Sequence, residues 1–357
     1  MKTLRRYLVR EIMAATALVF VALLMLFAFF DLVDQIGDLG QGGYRLRHIL
    51  VFVLFSEPNH VYELFPIAVL IGTLFALAQL VASSEYTVMR TSGVSLTRMS
   101  VMLGGVGLMF AATAFVFGEF IAPPAEQFAQ RLRSQAVTGL VAQEFRSGLW
   151  GKDGKSFINV LEVMPDATLR GVRIYDFDDQ SHLRSISFAK HGDYQGGRRW
   201  VLKDVVRTTF EDRKTNVSTI AEESWQSVLD PNLLNMLLVQ PEQMSAWNLR
   251  SYAQHLRENR QKALRYEIAL WTKIMYPLAV LVMMVLALPF AVYQRRQGGV
   301  GAKIFAGIML GLAFYFLNRL FAHLGLLNDW PPVLSAVLPT LIFLGMAVGM
   351  MWWQERR

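Results

Sequence analysis

The chain has 357 residues, of which 54% are hydrophobic and 18% charged, and its mean hydropathy of +0.33 is too apolar for soluble domains, so it reads as an integral membrane protein. Cysteine is absent, which excludes a disulfide framework, thiolate metal ligation and a cysteine nucleophile. The net charge of +7 comes from basic residues set at the ends of apolar runs, a pattern that sets membrane orientation and does not suit nucleic acid.

Crossing the hydrocarbon core as a helix takes about twenty apolar residues. Six stretches qualify: 12–30, 64–82, 101–117, 269–292, 304–321 and 332–353. The first is longer than a signal-peptide core and has no small-residue cleavage site after it, so it is expected to stay in the membrane. Residues 44–55 are expected to form a short interfacial helix, separated from the second span at Glu57-Pro58.

The loop after the second span carries a helix signature over 84–93. Ser84 can cap it, Glu85 suits its positive end, and Gly93 suits its stop. Tyr86, Met89 and Arg90 fall together on such a helix, an aromatic, a flexible apolar and a cationic group fit for a groove on a partner; a plain interfacial loop is the alternative. In the third span, Gly104, Gly105 and Gly107 allow close helix packing. Arg131 and Arg133, after Pro123-Pro124, are placed to meet anionic groups at the outer surface, with a solvated charged turn as the alternative.

The roughly 150 polar residues that follow suit one folded domain. Stretches of β character recur at 156–160, 169–175, 183–188, 200–206 and 215–221, separated by turn signals at Lys152-Asp153-Gly154, Asp178-Asp179 and Gly196-Gly197. A small antiparallel sandwich or barrel is expected. From Asp230 the pattern turns helical, and 245–261 reads as a polar helix capped by Ser245. The division is therefore 1–135 with three spans, 136–262 as a β domain with a helical connector, and 263–357 with three spans. Basic residues flanking the spans (Lys2, Arg5, Arg6, Arg10, Arg90, Arg98, Arg295, Arg296, Lys303, Arg356, Arg357) all fall on one side. That makes both termini cytoplasmic and puts the central domain on the opposite face, the periplasm in a bacterium.

Chemistry is sparse. Gly154-Lys155-Ser156 imitates the end of a phosphate-binding loop, but Leu149 stands where that motif needs its first glycine. No cofactor is expected in this chain, and ATP with Mg, if used, would be bound by a partner. The six histidines show no metal-ligand spacing and no nucleophile elbow occurs. Charges in or near spans are costly and suggest function: Asp31, Asp34, Glu63, Glu119, Lys273 and Arg319 gather toward the outer side. Interfacial solvation, or an ion pair such as Asp31 with Arg319, is the structural alternative.

The order of motifs resembles the LptF/LptG family of lipopolysaccharide export permeases, the G branch more closely. The resemblance rests on Val33-Asp34-Gln35 with Gly40-Gln41-Gly42, the loop from Ser84-Glu85 to Ser92-Gly93, and the stretch 123–136 with Glu126 and Arg133. Further along it rests on 148–154 and on Trp271-Thr272-Lys273-Ile274 with Pro277. It implies a six-span helical membrane protein with an inserted periplasmic β-jellyroll-like domain, in the bacterial inner membrane. Its implied partners are lipopolysaccharide, the homologous permease LptF, the cytoplasmic ATPase dimer LptB, the bitopic LptC with a periplasmic bridge, and membrane lipid. Glu85 would belong to the helix that enters the ATPase groove, and spans one and five would form lateral gates. Members often carry basic residues on the outer part of the first span to meet lipid A phosphates. Here that stretch offers Asp31, Gly37 and Asp38, so Arg133, Lys273, or Arg45 and Arg47 would supply the charge, or carboxylates would act through divalent cations. Rival readings are a lipoprotein-release type permease, which has four spans, a non-transporting scaffold, and an intramembrane enzyme.

Overall fold

The computed structural model describes residues 2–40, 43–136, 149–163, 168–178, 180, 182–211, 214–227, 240–258, 261–293 and 300–356. Of the residues named above, Gln41, Gly42, Gly148, Asp179, Asp230, Arg295, Arg296 and Arg357 lie outside them. Among the described residues six helices are long and apolar enough to cross a membrane, three on either side of an inserted antiparallel sheet, as the sequence leads one to expect.

The first half contains α1 (Lys2–Ile36), α2 (Leu46–Ala82), α3 (Glu85–Thr91) and α4 (Leu96–Val116). A π-helical turn at Phe117–Ile121 then leads into α5 (Ala122–Ala136). The separate interfacial helix expected at 44–55 does not exist: α2 runs unbroken through Pro58 and Pro66. Proline removes one backbone donor and leaves the carbonyl four residues earlier unpaired. At Pro66 that carbonyl is Tyr62 O, and the phenol of Tyr276 donates to it. The neighbouring helix thus satisfies what the proline leaves open, which is how membrane helices tolerate proline. The third span likewise continues past its expected end. Pro123 and Pro124 sit in the first turn of α5, where the preceding π turn has already shifted the hydrogen-bond ladder, so Arg131 and Arg133 ride on a helix and not on a turn.

The second half begins with a 3-10 turn at Pro241–Gln243 and continues with α6 (Ala246–Glu258), α7 (Leu264–Tyr293), α8 (Val300–Leu327) and α9 (Pro332–Glu355). Ser245 caps α6 as expected, its Oγ accepting from Asn248 N at 3.1 Å. Glu119, in the π turn, also accepts from Ala246 N at 2.8 Å and Trp247 N at 3.2 Å, so a carboxylate neutralises the positive end of α6 and pins the connector to the bundle. The bundle core is one apolar cluster centred on α2, α4 and α7, including Leu70, Leu74, Leu103, Met283 and Met284. Gly107 brings α4 against Met284 and Leu281, whereas Gly104 faces open space.

The sheet comprises β1 (Leu149–Asp153), β2 (Ser156–Val163), β3 (Leu169–Phe177), β4 (Leu183–Gly196), β5 (Arg199–Glu211) and β6 (Lys214–Gln226), paired antiparallel in chain order. β1 escapes the sequence reading because Gly151 and Lys152 break its apolar alternation. Gly196 and Gly197, both at positive φ, turn β4 into β5. The buried positions of the long strands switch parity at one row. Ser185, Ser187 and Ala189 are buried, Lys190 and His191 are exposed, and Gly192 is buried; in β5, Trp200 and Leu202 are buried, Lys203 and Asp204 exposed, and Val205 buried. Gly171 and Asp204 lie on this row at positive φ, and pairing is interrupted there. Strands that bend in this way turn a corner, so the two halves of one sheet share a single core around Trp200, Ile158 and Leu169. One bent antiparallel sheet of six strands in simple up-and-down order thus forms the inserted β domain.

Candidate functional site

α3 sits at the end of the bundle that holds the chain's N-terminus. Ser84 does not cap it through its side chain. The tight turn out of α2 puts Ser84 at φ 64, and that left-handed geometry leaves no side-chain cap. Ser83 Oγ donates to Glu85 Oε1 at 3.0 Å, and Tyr7 of α1 donates to Glu85 Oε2 at 2.9 Å, so both oxygens of the first-turn carboxylate are held. Tyr86 is withdrawn from the surface into the bundle core at 3% exposure, and Met89 packs against that core. The face turned outward is therefore Val88, 63% exposed, with Arg90 and Thr91. Arg90 Nη1 donates to Val94 O at 3.4 Å, steadying the stop at Gly93, whose φ of +86 suits glycine.

At the opposite end, where the sheet joins the bundle, a cavity of about 160 Å³ opens between α2, α7 and α8. Three of the expected residues, Glu63, Lys273 and Arg319, line it together. Lys273 lies 5.1 Å from the Tyr62 ring and its ammonium donates to the Met244 carbonyl. Arg319 stands 5.6 Å from the Tyr315 ring and 3.9 Å from Glu242, not beside Asp31. Glu242 also meets Arg265 at 3.7 Å, so one carboxylate from the connector bridges α7 and α8. Ile67, Phe314 and Leu326 give the cavity an apolar lining beneath this charged rim. Such a pocket suits an amphiphile with an anionic head.

Asp31 pairs with His60 at 2.7 Å because α1 and α2 run antiparallel and bring these positions level, whereas Arg319 belongs to α8. Arg133 is already engaged, its Nη2 donating to Asp38 at 2.7 Å. Gln35, from the Val33-Asp34-Gln35 motif, is 3% exposed and accepts from Tyr44 OH at 3.0 Å. Burial pushes the Tyr44 phenol above its ordinary range, so it remains a donor. Arg45 and Arg47 are exposed at the start of α2, with Arg45 as its N-cap residue. Lys303 bonds Ala291 O at 2.9 Å, tying α8 to the last turn of α7.

Sequence reasoning misses Arg265, Glu242, Tyr276 and Tyr315 in the cavity. A helical signal was present: Arg265, Ala269, Thr272 and Tyr276 follow the spacing of one face of α7, and Tyr315 and Arg319 stand one turn apart on α8. Gly154-Lys155 proves to be the turn of the β1–β2 hairpin, so the phosphate-loop imitation has no strand-to-helix setting.

Comparison with known proteins covers nearly the whole chain. Residues 6–353 match the family model described as lipopolysaccharide export system permease LptF/LptG. The chain is 31% identical over 352 residues to the lipopolysaccharide export system permease protein LptG of Haemophilus influenzae, covering 98% of this chain and 97% of that one. It is likewise 31% identical to LptG of Escherichia coli K12, over 95% of each chain. LptF of Escherichia coli K12 is 22% identical, over 98% of this chain and 94% of its own.

Proposed function

Since the chain belongs to the LptF/LptG family of lipopolysaccharide export system permeases, we propose that it is the G-type permease subunit of an ATP-driven exporter. It takes lipopolysaccharide from the outer leaflet of the inner membrane and delivers it to a periplasmic β bridge. The 31% identity that runs through both helical halves and the sheet carries this reading. Both termini are cytoplasmic and the sheet is periplasmic, because the basic flanks gather at the α3 end.

The working partners are an LptF-type permease, a cytoplasmic ATPase dimer of LptB type that binds ATP and Mg, and a bitopic LptC-type subunit leading to the bridge. The chain itself carries no catalytic residue. Glu85 and Arg90, with Val88, present α3 to the ATPase, and Tyr86 and Met89 anchor α3 to the bundle. ATP-driven closure of the ATPase dimer moves α3 and narrows a lipid-holding space between this chain and the second permease, distinct from the cavity among α2, α7 and α8, which expels lipid toward the sheet. Lys273 and Arg319, joined by Arg265, form the cationic rim that meets lipid phosphates; exposed Arg45 and Arg47 add charge, and Arg133 and Asp31 act within their ion pairs.

Purification in mild detergent followed by mass spectrometry of bound protein and lipid tests this reading. Co-purification of an ATPase, a second permease and lipopolysaccharide is expected. A chain that purifies alone, or hydrolyses ATP by itself, overturns it.

A further inference from the structure

We propose that Trp247 is a membrane-interface anchor: its indole sits in the head-group layer of the leaflet at the sheet end of the bundle, and with Arg250 it seats α6 on phospholipid. On the orientation given above, that leaflet is the outer one.

Charges on two spans fix the height of this residue. At about 1.5 Å of rise per residue, Arg98 and Glu119 of the third span lie about 32 Å apart, which matches a hydrocarbon core of about 30 Å. In the fourth span, Lys273 lies about 30 Å from Tyr293, where α7 ends, and marks the same boundary. Both boundary charges grip the start of the connector. Glu119 accepts from Ala246 N and Trp247 N, and the Lys273 ammonium donates to Met244 O. The backbone of Trp247 is therefore held at the edge of the hydrocarbon. From there α6 climbs away from the membrane beside α7, whose first residue, Leu264, stands about 14 Å beyond Lys273; Tyr252 of α6 packs on Tyr266 of α7 with ring centroids 4.5 Å apart.

The indole points away from the protein. Leu249, Tyr252, Ala253 and Leu256 bury one face of α6. On the other face Trp247 is 75% exposed, more than any other large apolar side chain among the described residues. The positions that follow it on that face, Arg250, Ser251 and Gln254, are exposed and polar. A helix that fills a protein groove presents apolar anchors on successive turns, and this face has a single one at its base. A bilayer edge needs only that one, since the indole sets its apolar body against acyl chains and its N–H toward water. The adjoining surface already belongs to lipid: Phe120, next to Glu119, is 65% exposed and Phe115 is 51% exposed, with their rings 6.3 Å apart on the outer flank of the third span. Arg250, at the next turn toward water, is placed for the phosphates above the indole.

The chain has no native cysteine, so single spin labels can be attached through Trp247→Cys, Phe120→Cys and Gln254→Cys. The full chain with its co-purifying companions is placed in nanodiscs of phosphatidylethanolamine and phosphatidylglycerol. Oxygen partitions into lipid and a nickel chelate into water. The label at 120 is expected to collide mainly with oxygen and the label at 254 mainly with nickel, with the label at 247 between them. A label at 247 as open to nickel as the one at 254 overturns the anchor. So does a label at 247 shielded from both reagents, which would mean that protein covers this face. Adding Arg250→Gln is expected to move the 247 label toward nickel, and an unmoved label overturns the seating on phosphate. The native ring is read by tryptophan emission: lipids brominated near the head group are expected to quench less emission in Trp247→Phe than in the unaltered chain, and equal quenching overturns the anchor.

Discussion

The phenol of Tyr276 in α7 donates to the carbonyl of Tyr62 in α2 at 2.7 Å, the carbonyl that Pro66 leaves without its helical partner. The same hydroxyl lies 2.7 Å from Glu63 O. One side chain thereby stabilises a proline-containing span and fixes α7 beside it. Tyr276→Phe keeps the ring and loses the donor, leaving a buried carbonyl unsatisfied at a cost of about 1–3 kcal/mol. Thermal unfolding in detergent is expected to show a lowered Tm, and an unchanged Tm would deny the bond its role.

Gly72 and Gly104 make a matched pair. A methyl group at Gly72 meets the Thr16 backbone, whereas at Gly104 it meets nothing within 4 Å. Gly72→Ala is expected to cost about 1–3 kcal/mol through overpacking. Gly104→Ala is expected to be neutral or to stabilise by up to about 1 kcal/mol through helix propensity. Equal effects of the two on the midpoint of unfolding would contradict the close crossing of α1 and α2.

Much of this was legible in the sequence, and the failures have physical causes. The six spans and five of the six strands follow from apolar run length and β patterning, which are local properties. Pro58 misleads because a membrane helix can run on through proline, and the partner that rescues such a helix, as Tyr276 does at Pro66, comes from elsewhere in the chain. Tyr86 looks like a docking residue from the helical phase of α3 alone, yet α3 lies against the bundle and turns that ring inward. The charges were found but not their partners: Asp31 takes His60, Arg133 takes Asp38 and Arg319 takes Glu242, and none of these pairs is close in sequence.

The engagement of Arg133 changes which cations are free to meet an anionic lipid. Photo-crosslinking of lipopolysaccharide is expected to fall more with Arg45→Ala combined with Arg47→Ala than with Arg133→Ala. Asp38→Asn, which releases Arg133 from its pair, is expected to raise crosslinking at that end of α5. The reverse order would make Arg133 the primary contact.

In the sheet, the corner row and the core beside it respond in opposite senses. Asp204 has φ 54, and Asp204→Gly is expected to relieve about 1 kcal/mol of left-handed strain. Trp200 is fully buried between Tyr194 and Trp225, and Trp200→Ala is expected to cost about 3–5 kcal/mol. Protease susceptibility of the sheet reads both, with slower cleavage for the first and faster for the second; slower cleavage of Trp200→Ala would exclude the shared core.

The most direct measurement is lipopolysaccharide release from proteoliposomes containing this chain with its companion permease, the bitopic subunit and the ATPase. Release is expected only with ATP and with all components, and is expected to fall with Glu85→Ala while the ATPase alone keeps its hydrolysis. Release that survives omission of the ATPase, or full release with Glu85→Ala, would contradict an exporter driven through α3.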